Sequence, residues 1–276
     1  MKPRLHASLA AAALILLTSA TRTAGQATAP ATAGGCPLEP VTFHACALPK
    51  TKTFNPPRTE DGRPDMQGCW DRAFTSQDVE EHGADGLNVQ PGPSLVVDTP
   101  DHTRFRISRG RSNSGKASPI GSSLRSRVVI RRACLATRLR PPRTRSCSGL
   151  ATSAYTLDAS HSLHRIIPTG GEPHVGNAIR LWQGDSRGRW EGNTLVVDVT
   201  NLNGLAWLDN AGNFVSDALH VVERFTLIDR DTIHYEARLE DPKVYTRPWT
   251  MVSALRRNKE PGFEIWEQAC HEGISP

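Results

Sequence analysis

Four groups of side chains in this 276-residue chain have the types and spacing to do chemistry. His234, Glu236 and Arg238 recur at every second residue, and His220 and Arg224 share the same parity a few residues earlier. Alternate residues of a β-strand share a face, so these five would form one polar surface suited to a polar or anionic ligand. Cys270-His271-Glu272 sets a thiol beside an imidazole and a carboxylate. Neighbours on an extended chain point apart, and a catalytic Cys and His normally meet through the fold. A structural or metal-binding role for this group therefore outweighs a nucleophilic one. Asp185, Arg187, Trp190 and Glu191 lie in a glycine-punctuated stretch (GDSRGRWEG). It reads as a turn in which Asp185 caps backbone amides and Trp190 covers a barrel end. His161, His164 and His174 could join His220, His234 or His271 around a metal. No helical i,i+4 His pair and no His-x-His occurs, so no metal is expected, and no cofactor is indicated. The phosphate loop, the G-x-S-x-G elbow and the dinucleotide fingerprint are all missing from the sequence.

The elements that would position these groups are strands. Asn193 to Thr200 (NTLVVDVT) is rich in β-branched residues. From His220 to Ile228, Val221, Glu223, Phe225 and Leu227 fall on one side, and His220, Val222, Arg224, Thr226 and Ile228 on the other. After Asp229-Arg230-Asp231, Ile233, Tyr235, Ala237 and Leu239 oppose His234, Glu236, Arg238 and Glu240. The pattern predicts a hairpin with one apolar and one charged face, ended at Asp241-Pro242 because proline cannot donate to a ladder. Ser94 to Asp98, Trp249 to Arg256 and Phe263 to Ala269 read as further short strands, and Trp70 as a residue at the core edge. From Ile179 onward no segment shows a helical period. The fold class is mostly β: an antiparallel meander forming a barrel, of the up-and-down lipocalin-like kind, or a sandwich. If the charged face lines the barrel, it makes a polar cavity; if it points out, it is a solvated face, and antiparallel sheets usually wet one side.

The N-terminus carries the three parts of a secretory signal over residues 1–25. Lys2 and Arg4 precede an apolar core (LAAAALILL), and small residues follow at Ser19, Ala20, Ala24 and Gly25. The apolar stretch is too short for a membrane-spanning helix, which needs about 20 residues. A periplasmic or secreted location is expected, with no membrane span after cleavage. Residues 26–57 are rich in Ala, Thr, Pro and Gly and read as a flexible linker. Residues 58–276 then make a single β-rich domain. Six cysteines suit an oxidising compartment, and Cys36 with Cys46 is the easiest local pairing.

Residues 102–157 interrupt this domain. They hold twelve Arg, one Lys and no Asp or Glu. The chain's net charge is +5, and +5 less these 13 leaves −8 for everything else. The sequence pI near 9.0 thus belongs to one segment. If real, the run would suit an anionic polymer.

The blocks PRTEDGRPDMQGCWD, GDSRGRWEGNTLVVDVTNLN, DALHVVERFTLIDRDTIHYEARLEDPKVYTRPW and the terminal CHEG resemble a family of exported bacterial proteins of uncharacterised activity. The resemblance covers residues 57–101 and 158–273. It implies export and a β-rich fold, and it supplies no substrate or catalytic residue. Where the Arg-rich run stands, the family pattern resembles Ile-Pro-Tyr-Gln-Pro-Trp-Ala, then Gly-Val-Pro-Arg, then a Gln-rich strand. Phe105 to Arg111 can be written TTC CGT ATC AGC CGT GGG CG. With an A preceding and the frame moved back one base, the same letters give ATT CCG TAT CAG CCG TGG GCG, which is that first peptide. Arg132 to Ala136 and Arg145 to Ser148 hide Gly-Val-Pro-Arg and Ile-Val-Gln under the same shift. The run is read as a frameshifted stretch, restored near Ala154 to Leu157. Burying so many unpaired guanidinium groups is prohibitive, so a loose, disordered insert outside the domain is expected.

The functional expectation is a small-molecule or partner-binding β domain, with His220, Arg224, His234, Glu236, Arg238, Asp185, Arg187 and Trp190 as ligand residues. Nucleic acid is not an expected partner. The alternative is a periplasmic hydrolase or lyase whose acid–base candidates are His234, Glu236, His271 and Glu272.

Overall fold

The computed structural model describes residues 31–73, 79–80, 92–99, 132–135, 153–158, 163–206, 208–209 and 213–263. In chain order its elements are β1 (Thr32–Ala33), β2 (Cys36–Pro37), α1 (Pro40–Thr53), β3 (Gly68–Arg72), β4 (Arg132–Leu135) and β5 (Ser153–Asp158). They continue with β6 (Leu163–Pro168), β7 (Asp185–Glu191), β8 (Thr194–Thr200), β9 (His220–Leu227), β10 (Thr232–Glu240) and β11 (Trp249–Arg257). The expected antiparallel, mostly β architecture is present. One sheet runs β6-β5-β4-β3-β11-β10-β9-β8-β7, and β1-β2 is a separate two-stranded ribbon.

The β9–β10 hairpin sets the register. Tyr235 pairs with Phe225, Ala237 with Glu223 and Glu236 with Arg224, so the two apolar sets share one face. That face joins Trp70, Leu195, Val197, Val199, Trp249, Met251 and Leu255 in the main core. The sheet curls around it and brings its edge strands β6 and β7 close together. A methyl group on Gly188 in β7 would stand 2.9 Å from Ile167 Cγ2 in β6 and 2.7 Å from Thr169 Cγ2, so this glycine is what lets the edges approach.

A polar cluster on β6, β9 and β10 lies in this interior. Arg165 Nη2 of β6 donates to Glu223 Oε2 of β9 at 2.6 Å, and the Tyr235 hydroxyl donates to Glu223 Oε1 at 2.9 Å. Burial, and then the Glu223 carboxylate, push the Tyr235 phenol well above its usual range, so it remains a donor. At the end of the core, Arg257 covers the Trp70 ring at 4.2 Å. Trp70 itself is fully buried and donates to Met66 O, deeper than its expected place at the core edge.

Three expectations are corrected. Residues 40–53, expected within a flexible linker, form helix α1. Glu39 caps it by accepting from Val41 N and Thr42 N, and Pro40 occupies the first turn, where its missing N–H costs nothing. Phe43 and Ala47 pack on Ile228, Val252 and Ala254 of the sheet's outer side, and the Cys36–Cys46 disulfide forms as expected. The stretch GDSRGRWEG, expected as a turn, forms strand β7 over Asp185–Glu191, and the turn falls at Gly192 and Asn193. Within 102–157, expected to be a loose insert, Arg132–Leu135 and Ser153–Asp158 are strands joining β3 to β6. Ladder bonds are main-chain bonds, so side-chain charge does not forbid them. Cys69 is disulfide-bonded, and Cys134 stands opposite it in the register. The rest of that run, the signal segment and the strand expected from Phe263 to Ala269 (beyond Phe263 itself, which lies outside any strand) fall outside the described residues. Ser94 to Asp98 does lie along β11: Val97 N donates to Thr250 O and Val252 N to Leu95 O.

If Glu223 holds the interior together, Glu223→Ala removes the carboxylate that Arg165 and Tyr235 share. It should cost about 3–5 kcal/mol of unfolding free energy in urea. The paired change Arg165→Met with Glu223→Leu should recover most of that loss. A loss below about 1 kcal/mol for the single variant would show that the cluster is dispensable.

Candidate functional site

Because the apolar set of β9 and β10 fills the interior, the polar set points out. This is the solvated-face alternative, and no polar cavity lining is built from these residues. The outer face divides into two clusters at opposite ends of the hairpin. His220 lies six residues from Thr226, the partner of His234, which separates the ends by about 20 Å at ~3.3 Å per residue.

The first cluster gathers Asp185, Arg187 and His220 with two further residues. His174 Nδ1 lies 2.7 Å from Asp185 Oδ2, and His174 Nε2 lies 3.7 Å from Asp198 Oδ1. His220 Nε2 lies 2.7 Å from the same Asp198 oxygen. Arg187 contacts Asp185 Oδ1 at 3.1 Å and donates from Nε to Pro173 O. Strand pairing sets this up: Asp185 opposes Thr200 and Arg187 opposes Asp198 across β7–β8. Asp185 also accepts from Val175 N, an amide of the preceding loop and not of the turn expected around it.

The loop bearing His174 is held by Asn201. Its backbone adopts φ 59°, a left-handed conformation that asparagine tolerates better than most residues. Its side-chain amide donates to Val175 O, Gly176 O and Ile179 O at 3.3, 3.2 and 3.0 Å. Both ring nitrogens of His174 face carboxylates. Among the described residues, no serine, threonine or cysteine hydroxyl or thiol is hydrogen-bonded to either imidazole. The cluster offers charge and hydrogen bonds to a polar group.

The second cluster lies where α1 crosses β10. His234 is buried, and its Nε2 is 3.0 Å from Nδ1 of His44 on the helix. Phe43 stacks on the His234 ring with centroids 5.7 Å apart. Burial, and secondarily the charge of His44, lower the His234 pKa to about 3. Glu236 stands beside them, and one donor atom from each of His44, His234 and Glu236 lies within 4.8 Å of the others.

The remaining expected residues are dispersed. Arg224 donates to Glu191 Oε2 at 3.0 Å on the exposed face, and this bond holds the Glu191 carboxyl below its usual range. Arg238 is exposed. Trp190 turns inward against the core and contributes to neither cluster. His161, His271 and Glu272 lie outside the described residues, as does the side chain of His164.

Sequence reasoning passed over His44, Asp198 and Asn201. His44 sits between the paired cysteines in what was read as linker. Asp198 carried a usable signal, being a lone acid in a β-branched strand. Asn201 carried none. Comparison with family models, with curated proteins and with solved structures finds no match to this chain. Among the described residues, no helix is long and apolar enough to cross a membrane.

The His234 shift has a definite sign. Unfolded, this imidazole titrates near 6.5; folded, near 3. The folded state therefore binds fewer protons between those values. Its contribution is complete above about pH 6.5 and is lost as pH falls towards 3. In chelator-containing buffer, the drop in unfolding free energy between pH 7 and pH 5 should be smaller in His234→Gln than in the parent, by up to ~2 kcal/mol. Equal drops would mean that His234 is solvated.

Proposed function

We propose that this is an exported binding module whose recognition surface is the outside of strands β7–β9. The observation that carries the reading is the set of His174, Asp185, Arg187, Asp198 and His220 on one wall, braced by the Asn201 amide. The barrel interior meanwhile is taken up by fully buried Trp70, Phe225, Tyr235 and Trp249. A filled interior leaves the lipocalin-like mode of holding a ligand in the lumen without support. Two carboxylates and two imidazoles on one wall suit a polar small molecule, or a polar segment of a partner, that offers hydroxyl or amino donors. The same engagement of both His174 nitrogens favours binding over acid–base catalysis.

Export is supported by the tripartite N-terminal signal and by the Cys36–Cys46 bridge, a bond that persists in oxidising compartments. Such a compartment, periplasmic or extracellular, is where we place the protein's work.

A thermal-shift screen of polyols, sugars, amino acids and polyamines tests the assignment. Ligands of this class should raise the melting temperature of the parent, and the rise should vanish in Asp198→Ala and in His220→Ala. Stabilisation that persists in both variants would move the ligand elsewhere, and a library without a hit would remove the small-molecule reading.

A further inference from the structure

The second cluster belongs to a different region of the surface, and its donor set points beyond general polar recognition. We propose that His44, His234 and Glu236 form a binding site for one divalent transition-metal ion of the zinc class. This inference does not rest on the β7–β9 surface.

Two imidazoles and one carboxylate are the donors that zinc and its neighbours take, whereas magnesium and calcium prefer oxygen alone. A tetrahedral zinc holds imidazole nitrogens at about 2.0–2.1 Å, which sets two of them about 3.3 Å apart. His44 Nδ1 and His234 Nε2 are 3.0 Å apart, so a few tenths of an ångström separate the observed geometry from a coordinating one. A hydrogen bond between the two rings would use one N–H and one lone pair and would leave the Glu236 carboxylate without a part. A metal ion uses all three groups, and the fourth position falls to water or a ligand.

The donors are also held in place. His44 lies on α1, whose Phe43 and Ala47 are fully buried against the sheet. The helix is tied by the Cys36–Cys46 bridge and by Lys50 Nζ donating to Gly34 O at 2.8 Å. His234 and Glu236 are two residues apart on the outer face of a central strand. Cross-strand from Glu236 stand Val252 and Arg224, and Arg224 is already paired with Glu191. Bound as ligands, two imidazoles and one carboxylate set a single negative charge against the metal, which favours a dication. Without metal, one of the two facing nitrogens must carry the proton that bridges them. Coordination needs both lone pairs, so that proton moves to the far nitrogen of its ring or is released.

The test uses the untagged full chain, stripped with chelator and titrated with Zn²⁺ against a chromophoric competitor. Binding of one equivalent is expected, and Co²⁺ in its place should give the visible absorption of a tetrahedral N/O site. Affinity should fall at least about tenfold in each of His44→Gln and Glu236→Gln, two changes at half-exposed positions, with circular dichroism verifying the fold. His174→Ala with His220→Ala should bind as the parent does. The absence of stoichiometric binding would overturn the proposal. So would undiminished affinity in both single variants, or loss of binding in the His174/His220 double variant instead.

Discussion

Everything in this molecule follows from which side of one curled sheet each residue takes. Period-two alternation on β9 and β10 sends Val221, Phe225, Tyr235 and Leu239 inward, where burial of such side chains contributes roughly 1.5–3 kcal/mol each. That term far exceeds anything the polar set could gain by facing inward. The histidines and carboxylates are consequently driven to the outer wall. Glu223 is the exception: it shares the apolar parity, and it is tolerated inside because Arg165 and Tyr235 satisfy both of its oxygens. Since Arg165 comes from one edge strand and Glu223 from near the other, the same ion pair spans the roll.

Both clusters lie on the outer surface, and that surface is organised by additions to the sheet. Helix α1 contributes His44 to His234 and Glu236. The segment ahead of β7 contributes His174 to Asp185 and Asp198, and Asn201 fixes that segment through three carbonyls. In both cases a strand face supplies part of the donor set and a separate element completes it. Each cluster therefore exists only in the folded chain.

This division explains how much could be read from the sequence. The β9–β10 hairpin, its register and the grouping of His234 with Glu236 are written in strict alternation, and the β11 strand in its apolar run. Whether the charged face turns in or out is decided by the whole sheet, including Trp70 and Trp249, which lie far from the hairpin in sequence. Helix α1 was hidden because PVTFHACALPKTKT carries an internal proline, three threonines and too few large apolar residues to show a helical stripe. Its stability comes from tertiary packing and the Cys36–Cys46 bridge rather than propensity. The strand β7 resembled a turn because Gly188 sits mid-strand. That glycine answers to the approach of β6, a contact that local sequence cannot reveal. His44 and His234 are 190 residues apart, so no motif joins them.

Chemical footprinting of the native protein, read by mass spectrometry, addresses the central claim most directly. Histidine-directed carbethoxylation should modify His220, and nitration should spare Tyr235, because one stands on the outer wall and the other is sealed inside. Ready nitration of Tyr235 together with protection of His220 would mean that the faces are inverted and the barrel is open, contradicting the account.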